Sequence, residues 1–268
     1  MLLKLLVWFI QFSPFTKRWF WKKWYTLFPK LAPDTEFKCM NFGFFSENLN
    51  LDLLEQDEVE RYPIQLYHHV STQVEISGKT VIEVGSGRGG GASYISRYLK
   101  PKKITAVDIS NTAINFCRSL YKEENLEFLQ GNSEDLPFEN ESCDVVINVE
   151  SSHCYGSMDI FLSEVKRVLK HQGYFLFCDL RTLEMAEVLS KQFQQCGLLL
   201  IKKNDITANV IHGLEKMSDS RKRKIKNSVP WIARSIFESY AGVTGSKTYE
   251  SFVDGSFVYI SAVLQKTK

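Results

Sequence analysis

The stretch VIEVGSGRGGG, residues 81–91, decides the reading of this chain. Val81, Ile82 and Val84 form a short apolar run of the kind that becomes a buried strand. Gly85 and Gly87 then let the backbone turn sharply and approach a ligand, and Ala92, Ile95 and Leu99 fall at the spacing of a helix with one buried stripe. Strand, glycine loop and helix in that order expose amides at the helix start, where the aligned peptide dipoles favour an anionic group. A nucleotide-like ligand fits such a loop.

Apolar runs recur downstream, with helical patterns between them. Strands are expected near 80–84, 103–108, 127–130, 144–149, 174–179 and 198–203. This alternation predicts an α/β fold with a doubly wound, mostly parallel seven-stranded sheet, whose ligands gather at the carboxyl ends of the strands. Ahead of it, a helix is expected over 57–77, with Ile64, Tyr67, His68 and Val74 near one face and Gly78 stopping it. Residues 206–246 break the alternation and read as a helical lid insertion. The tail FVDGSFVYISAVLQK, 252–266, carries an Asp-Gly turn and an alternating strand, as in a terminal antiparallel pair.

At 268 residues and 44% hydrophobic, the chain can bury one substantial core with a cap, which sets an N-terminal cap or interface segment at 1–50 and a catalytic domain at 51–268. A net charge of +2 does not by itself call for a polyanionic partner. The cysteines, at 39, 117, 143, 154, 178 and 196, show no CxxC or metal-ligand spacing. No metal site is therefore expected, and a reducing, cytoplasmic setting is favoured. Residues 1–33 stand apart, with four of the five tryptophans, six Lys and Arg residues and no acid. The apolar run 5–10 is far shorter than the about 20 residues of a membrane span, and no small-residue cleavage site follows it. Two arrangements satisfy this segment: a peripheral face in an anionic membrane interface, or a helical cap packed over the domain. The cluster Arg221, Lys222, Arg223, Lys224 and Lys226 lacks interleaved aromatics and reads as a solvated lid face, so nucleic acid is not an expected partner.

The spacing Gly85-x-Gly87-x-x-Gly90 also matches a dinucleotide fingerprint, with Asp108 near the place of a ribose-binding acid, so two cofactor classes stay open on these residues alone. Glu83, two residues before the first glycine, Asn132 and Ser133 after the third strand, DVVINVESSHCY (144–155) and GYFLFCDLR (173–181) together resemble a class I S-adenosylmethionine (SAM) methyltransferase. The resemblance implies SAM as cofactor, held by Glu83, Gly85, Ser86, Gly87, Asp108, Ile109, Asn132, Ser133 and Asn148. Gly85 and Gly87 would pass beneath its methionine part, and Glu83 would organise the loop and attract its ammonium. Asp108 offers two acceptor oxygens to two ribose hydroxyls; its alternative role is to cap the helix starting near Asn111. The family usually has Asp where Asn132 stands, accepting from the adenine amino group, and the Asn oxygen accepts with less electrostatic help. A nicotinamide oxidoreductase, the other class, would need a catalytic Tyr-Lys or Cys/His set, and no YxxxK follows the fourth strand.

The chemistry is expected after the fourth and fifth strands, where His153, Asp179 and Arg181 stand at neighbouring strand ends. Methyl transfer is an in-line displacement, and well-oriented models of such positioning give about 7 to 11 kcal/mol. An alcohol acceptor must also lose its proton. His153 suits that task near neutral pH, with Asp179 or Glu150 fixing its tautomer. From about residue 21 onward the chain is similar to the phthiotriol and phenolphthiotriol dimycocerosate methyltransferases, through WKKWYTLF, QLYHHV, GKTVIEVGSGRGGGASYISRYL, LPFENESCDVVINVESSHCY, EVKRVL and GYFLFCDLR. That resemblance implies O-methylation of a hydroxyl on a hydrophobic lipid or polyketide-like substrate. The same core serves sterols, quinones, sugars, amines and RNA, so the acceptor stays open.

Overall fold

A computed structural model describes residues 38–231 and 234–267. Five parallel strands, β1 (Thr80–Val84), β2 (Lys103–Asp108), β3 (Leu126–Gln130), β4 (Cys143–Val149) and β5 (Leu169–Thr182), join β6 (Leu199–Asp205) and β7 (Phe257–Gln265) in one sheet. The order is β3-β2-β1-β4-β5-β7-β6, with β7 antiparallel to both neighbours. Strand order reverses between β1 and β4, which opens a crevice at their carboxyl ends.

Successive side chains of a strand point to opposite faces, and β1 uses both. Val81 joins a core with Tyr67, Ala92 and Ile95, while Ile82 and Val84 join another with Phe161, Val165 and Phe177. Glu83 shares the face of Val81 and is fully buried. The first face is covered by α1 (Arg61–Ser71), α2 (Gly90–Tyr94, continued by a π turn over Ile95–Leu99) and α3 (Asn111–Leu120); the second by α4 (Met158–Val168) and α5 (Leu183–Gln195). The expected lid holds α6 (Thr207–Ser228) and α7 (Arg234–Tyr240), followed by α8 (Lys247–Val253). Ile225, Val229, Phe237 and Val243 give the lid a small core of its own.

Several expectations shift. The first helix is shorter than 57–77: a 3-10 turn over Glu55–Glu60 leads into α1, which ends at Ser71. Thr72 turns its hydroxyl back to the His68 carbonyl at 2.7 Å, a local bond of the kind that competes with helix continuation. His68 is half-buried, its Nδ1 2.6 Å from the Tyr94 hydroxyl. Asp254 and Gly255 leave α8 rather than closing a hairpin, with Gly255 at φ +78°. β7 is buried over Tyr259–Leu264 because it lies inside the sheet, so its burial does not alternate. The described part of the 1–50 segment packs on the rest of the chain: Cys39, Asn41, Phe42 and Phe44 are buried, and Phe44 and Phe45 bond to Tyr62 and Asn209. Residues 1–33 lie outside the described residues.

Candidate active site

The carboxyl ends of β1 to β4 open into one pocket, walled by Gly85, Ser86 and Gly87, Asp108 and Ile109, Asn132 and Ser133, and Glu150 with Ser151. Close approach builds its floor. Gly85 has φ +83°, and a Cβ there would overlap the Ser151 hydroxyl. Asn148 donates to the Val84 carbonyl at 2.9 Å, and the Ser151 and Tyr155 hydroxyls reach the same oxygen at 3.2 and 3.3 Å. Asn148, expected at the cofactor, is thus drawn under the loop, fully buried and outside the pocket lining.

Asp108 braces the loop with both oxygens, accepting from the Gly87 amide at 2.9 Å and the Ser110 amide at 2.8 Å. Each carboxylate oxygen keeps a further acceptor direction for a ligand hydroxyl. The cap of α3 is Ser110, not Asp108. Burial pushes the Asp108 pKa up against those two amide bonds. Beneath the pocket, Tyr67 donates to Glu83 Oε1 at 2.8 Å, while Glu83 Oε2 is buried without a partner among the described residues. Burial pushes Glu83 up to about 7 against the Tyr67 bond, and the nearby Asp108 charge adds to the rise. The oxygen of Asn132 already accepts from the Glu134 amide at 3.1 Å within its own turn. The Ser86 hydroxyl is buried and unpartnered among the described residues.

Met40 and Glu150 face both this pocket and an apolar chamber of about 280 Å³ lined by Phe42, Leu180, Ile225, Val229, Phe237 and Phe257. His153 enters the chamber from a 3-10 turn over Ser152–Cys154. Its Nδ1 lies 2.8 Å from Asp179 Oδ1, and its amide donates to Asp179 Oδ2 at 2.9 Å. Asp179, fully buried in β5, also accepts from the Ser152 hydroxyl at 2.6 Å and pairs with Arg181 at 3.0 Å. Burial works to raise the Asp179 pKa, but His153, Arg181 and the hydrogen bonds overcome it and hold the carboxyl well below its ordinary value. Burial likewise opposes charge on His153; the Cys154 sulfur and the Asp179 carboxylate outweigh it, so the imidazole pKa lies well above its ordinary value.

The sequence left the orienting role between Asp179 and Glu150, and the geometry separates them. Glu150 accepts from the Tyr259 hydroxyl at 2.5 Å and the Phe42 amide at 2.8 Å, and its backbone sits at φ +48°. Burial raises its pKa to about 7 against those two bonds. Arg181, expected beside the substrate, is instead buried behind Asp179, donating to the Ser152 hydroxyl at 2.6 Å. The basic cluster is also split. Lys222, Arg223 and Lys226 are exposed, but Arg221 and Lys224 line the chamber, with Arg221 bonded to the carbonyls of Asn41 and Ala241 at 2.7 and 2.6 Å. Sequence reading missed Met40, Tyr67, Ser151 and Tyr155. Tyr67 left one signal, a phenol on the apolar helix face ahead of a strand with a central Glu.

A family described as "Methyltransferase domain" matches residues 82–177. The chain is 39% identical over 227 residues to the "Probable phthiotriol/phenolphthiotriol dimycocerosates methyltransferase 2" of Mycobacterium ulcerans (strain Agy99), covering 84% of this chain and 88% of the relative. It is 36% identical over 227 residues to the "Fatty-acid O-methyltransferase" of Mycolicibacterium smegmatis (strain ATCC 700084 / mc(2)155), covering 84% and 82%. Among solved structures, the geranyl diphosphate C-methyltransferase of Streptomyces coelicolor A3(2), in complex with Mg2+, geranyl diphosphate and S-adenosyl-L-homocysteine, shares the fold with a TM-score of 0.67 at 15% identity, covering 93% of this chain and 97% of that one. Sheet order, glycine loop and these relatives define a class I SAM-dependent methyltransferase. Within that class, the chain belongs to the family of the phthiotriol/phenolphthiotriol dimycocerosates methyltransferases.

Proposed function

We propose that this enzyme transfers the methyl group of SAM to an oxygen of a hydrophobic lipid or polyketide-like acceptor, with His153 as general base. The observation that carries this reading is the His153–Asp179 pair opening on an apolar chamber that shares Met40 and Glu150 with the cofactor pocket. The donor set fits a cationic nucleoside: the oxygen of buried Glu83 that has no partner among the described residues favours an ammonium, the spare acceptor directions of Asp108 suit two ribose hydroxyls, and the Ser86 hydroxyl, likewise without a partner among the described residues, adds a further polar contact. Gly85, Gly87, Ile109, Asn132 and Ser133 shape the walls around it. When bound, SAM supplies an electrophilic methyl group.

The rest falls to the chain's own side chains. Asp179 accepts a hydrogen bond from the Nδ1–H of His153, so the ring, once neutral above its raised pKa, carries its lone pair on Nε2, the nitrogen that can remove a hydroxyl proton. The apolar walls of the chamber keep water from the acceptor oxygen. His153→Ala should lower kcat on a hydroxyl acceptor by about 100- to 10,000-fold and leave S-adenosylhomocysteine affinity unchanged. Asp108→Ala should do the reverse, weakening the affinity in calorimetry. Wild-type kcat in His153→Ala would remove the base from the reading.

One observation favours a second acceptor. Arg221 and Lys224 line the chamber, and a carboxylate acceptor, as the name of the fatty-acid relative implies for that protein, arrives ionised and needs no base. An unchanged rate in His153→Ala on a fatty acid, beside a collapse on a fatty alcohol, would assign that acceptor. Residues 1–33, basic and aromatic, are proposed to make peripheral membrane contact in a reducing, cytoplasmic setting, which the six free cysteines suit. Hydrogen-exchange protection of 1–33 on anionic vesicles tests that contact. No helix among the described residues is long and apolar enough to cross a membrane.

A further inference from the structure

The lid carries a surface that neither cavity uses. Near the end of α6, Lys222, Arg223 and Lys226 are exposed, and Trp231, just past the helix, is 76% exposed. Arg234 ties the start of α7 to the same end, donating to the Lys226 carbonyl at 2.8 Å and the Val229 carbonyl at 3.1 Å. Ile236, 61% exposed, follows two residues later and so stands close to this tip. Ile225, Val229 and Phe237, from the same elements, turn inward and line the apolar chamber.

A single exposed apolar side chain needs no explanation. A solvent-facing Trp and Ile among Lys222, Arg223, Lys226 and Arg234, with only Asp219 and Glu238 of opposite sign on the flanking turns, is a different case. Indole rings settle at headgroup depth, and each lysine or arginine gains about a fivefold preference for an anionic leaflet. We propose that the tip formed by the end of α6 and the start of α7 docks on an anionic lipid bilayer, which holds the lid elements that line the chamber at the surface that stores its acceptor. The surface itself is independent of the catalytic reading; only its purpose rests on the lipid acceptor proposed above. Charge selects the occupant: a neutral protein surface has no use for the cations, and nucleic acid would need more than one aromatic platform.

Hydrogen exchange of the full chain on phosphatidylglycerol/phosphatidylcholine vesicles, compared with pure phosphatidylcholine, is expected to show protection across 219–240 only on the anionic vesicles. The double variant Lys222→Gln/Lys226→Gln should lower vesicle partitioning by about 25-fold at low salt, two fivefold losses multiplied, and Trp231→Ala should lower it on its own. None of these side chains lines either cavity, so S-adenosylhomocysteine affinity is expected to stay at the wild-type value. Protection confined to 1–33, with the double variant partitioning like wild type, would overturn the proposal and leave the N-terminal contact standing. Methyl transfer to a detergent-solubilised acceptor reads the catalytic proposal separately: its loss counts against that reading and not against the docking tip.

Discussion

Glu83 is the residue whose chemistry departs furthest from its setting. A carboxyl in the middle of a buried strand, with one oxygen on Tyr67 and the other unpartnered among the described residues, is costly unless something positive comes near it. Its pKa of about 7, raised chiefly by burial, means that it is largely neutral below about pH 6 and ionised above about pH 8. Only the ionised form attracts an ammonium. Glu83→Gln is therefore expected to weaken S-adenosylhomocysteine binding clearly at pH 8 and barely at pH 6, which calorimetry at the two pH values measures. An equal loss at both would mean that Glu83 acts by holding Tyr67 rather than by charge. The sequence exposed this residue because an acid between Val81, Ile82 and Val84 breaks an apolar run. It concealed Asn148, whose position at a strand end looks the same whether the amide faces a ligand or, as here, the carbonyl of Val84.

At the scale of elements, α1 and the glycine loop are one device. Tyr67 reaches Glu83 only by crossing the start of α2, and a Cβ at Gly91 would overlap its ring. Gly91→Ala should destabilise the domain by about 1 to 3 kcal/mol through overpacking. Because the displaced ring also leaves Glu83, the loss of S-adenosylhomocysteine affinity should exceed that of Tyr67→Phe, which keeps the ring and removes the hydroxyl. Urea unfolding and calorimetry on the two variants check both parts; a stable Gly91→Ala with wild-type affinity would show that the ring has room to move. Sequence pattern located β1, β2, β3, β4 and β6 closely, since apolar runs bounded by polar turns have little choice of state. It misjudged β5, which begins at Leu169 because Gln172 and Gly173 exchange backbone bonds with Lys266, nearly a hundred residues away in sequence. It misjudged the Asp-Gly pair for a related reason: a turn signal does not say whether a strand or a helix precedes it.

Across the whole molecule, most of the strongly shifted buried groups link folding to pH in one direction, and His69, lowered by burial to about 4, opposes them between that value and 6.5. Glu60, Glu83 and Glu150 each titrate at about 7, raised mainly by burial from an ordinary value of 4.5. Between those values the folded chain holds protons that the unfolded chain has released, so each group costs up to about 1.4 kcal/mol of stability per pH unit as pH rises. His153 adds to the trend. Its pKa is raised on folding, so the stability it supplies is complete below its ordinary 6.5 and is lost as pH rises through the raised value. Asp179 runs the other way but outside the window: with its pKa lowered, its contribution is complete above the ordinary 3.8 and is lost only as pH falls further. The urea midpoint of the cofactor-free enzyme should therefore be highest near pH 5 and decline toward pH 8. Glu60 offers the clean test, because it lies outside both cavities and binds the Lys38 amide at 3.1 Å through an oxygen that Gln retains. Glu60→Gln should flatten the decline between pH 5 and 7 by the share of one proton and leave methyl transfer unchanged. A midpoint already flat in the wild type would mean that water reaches these carboxyls in solution, and the pH dependence assigned to Glu83 would fall with it.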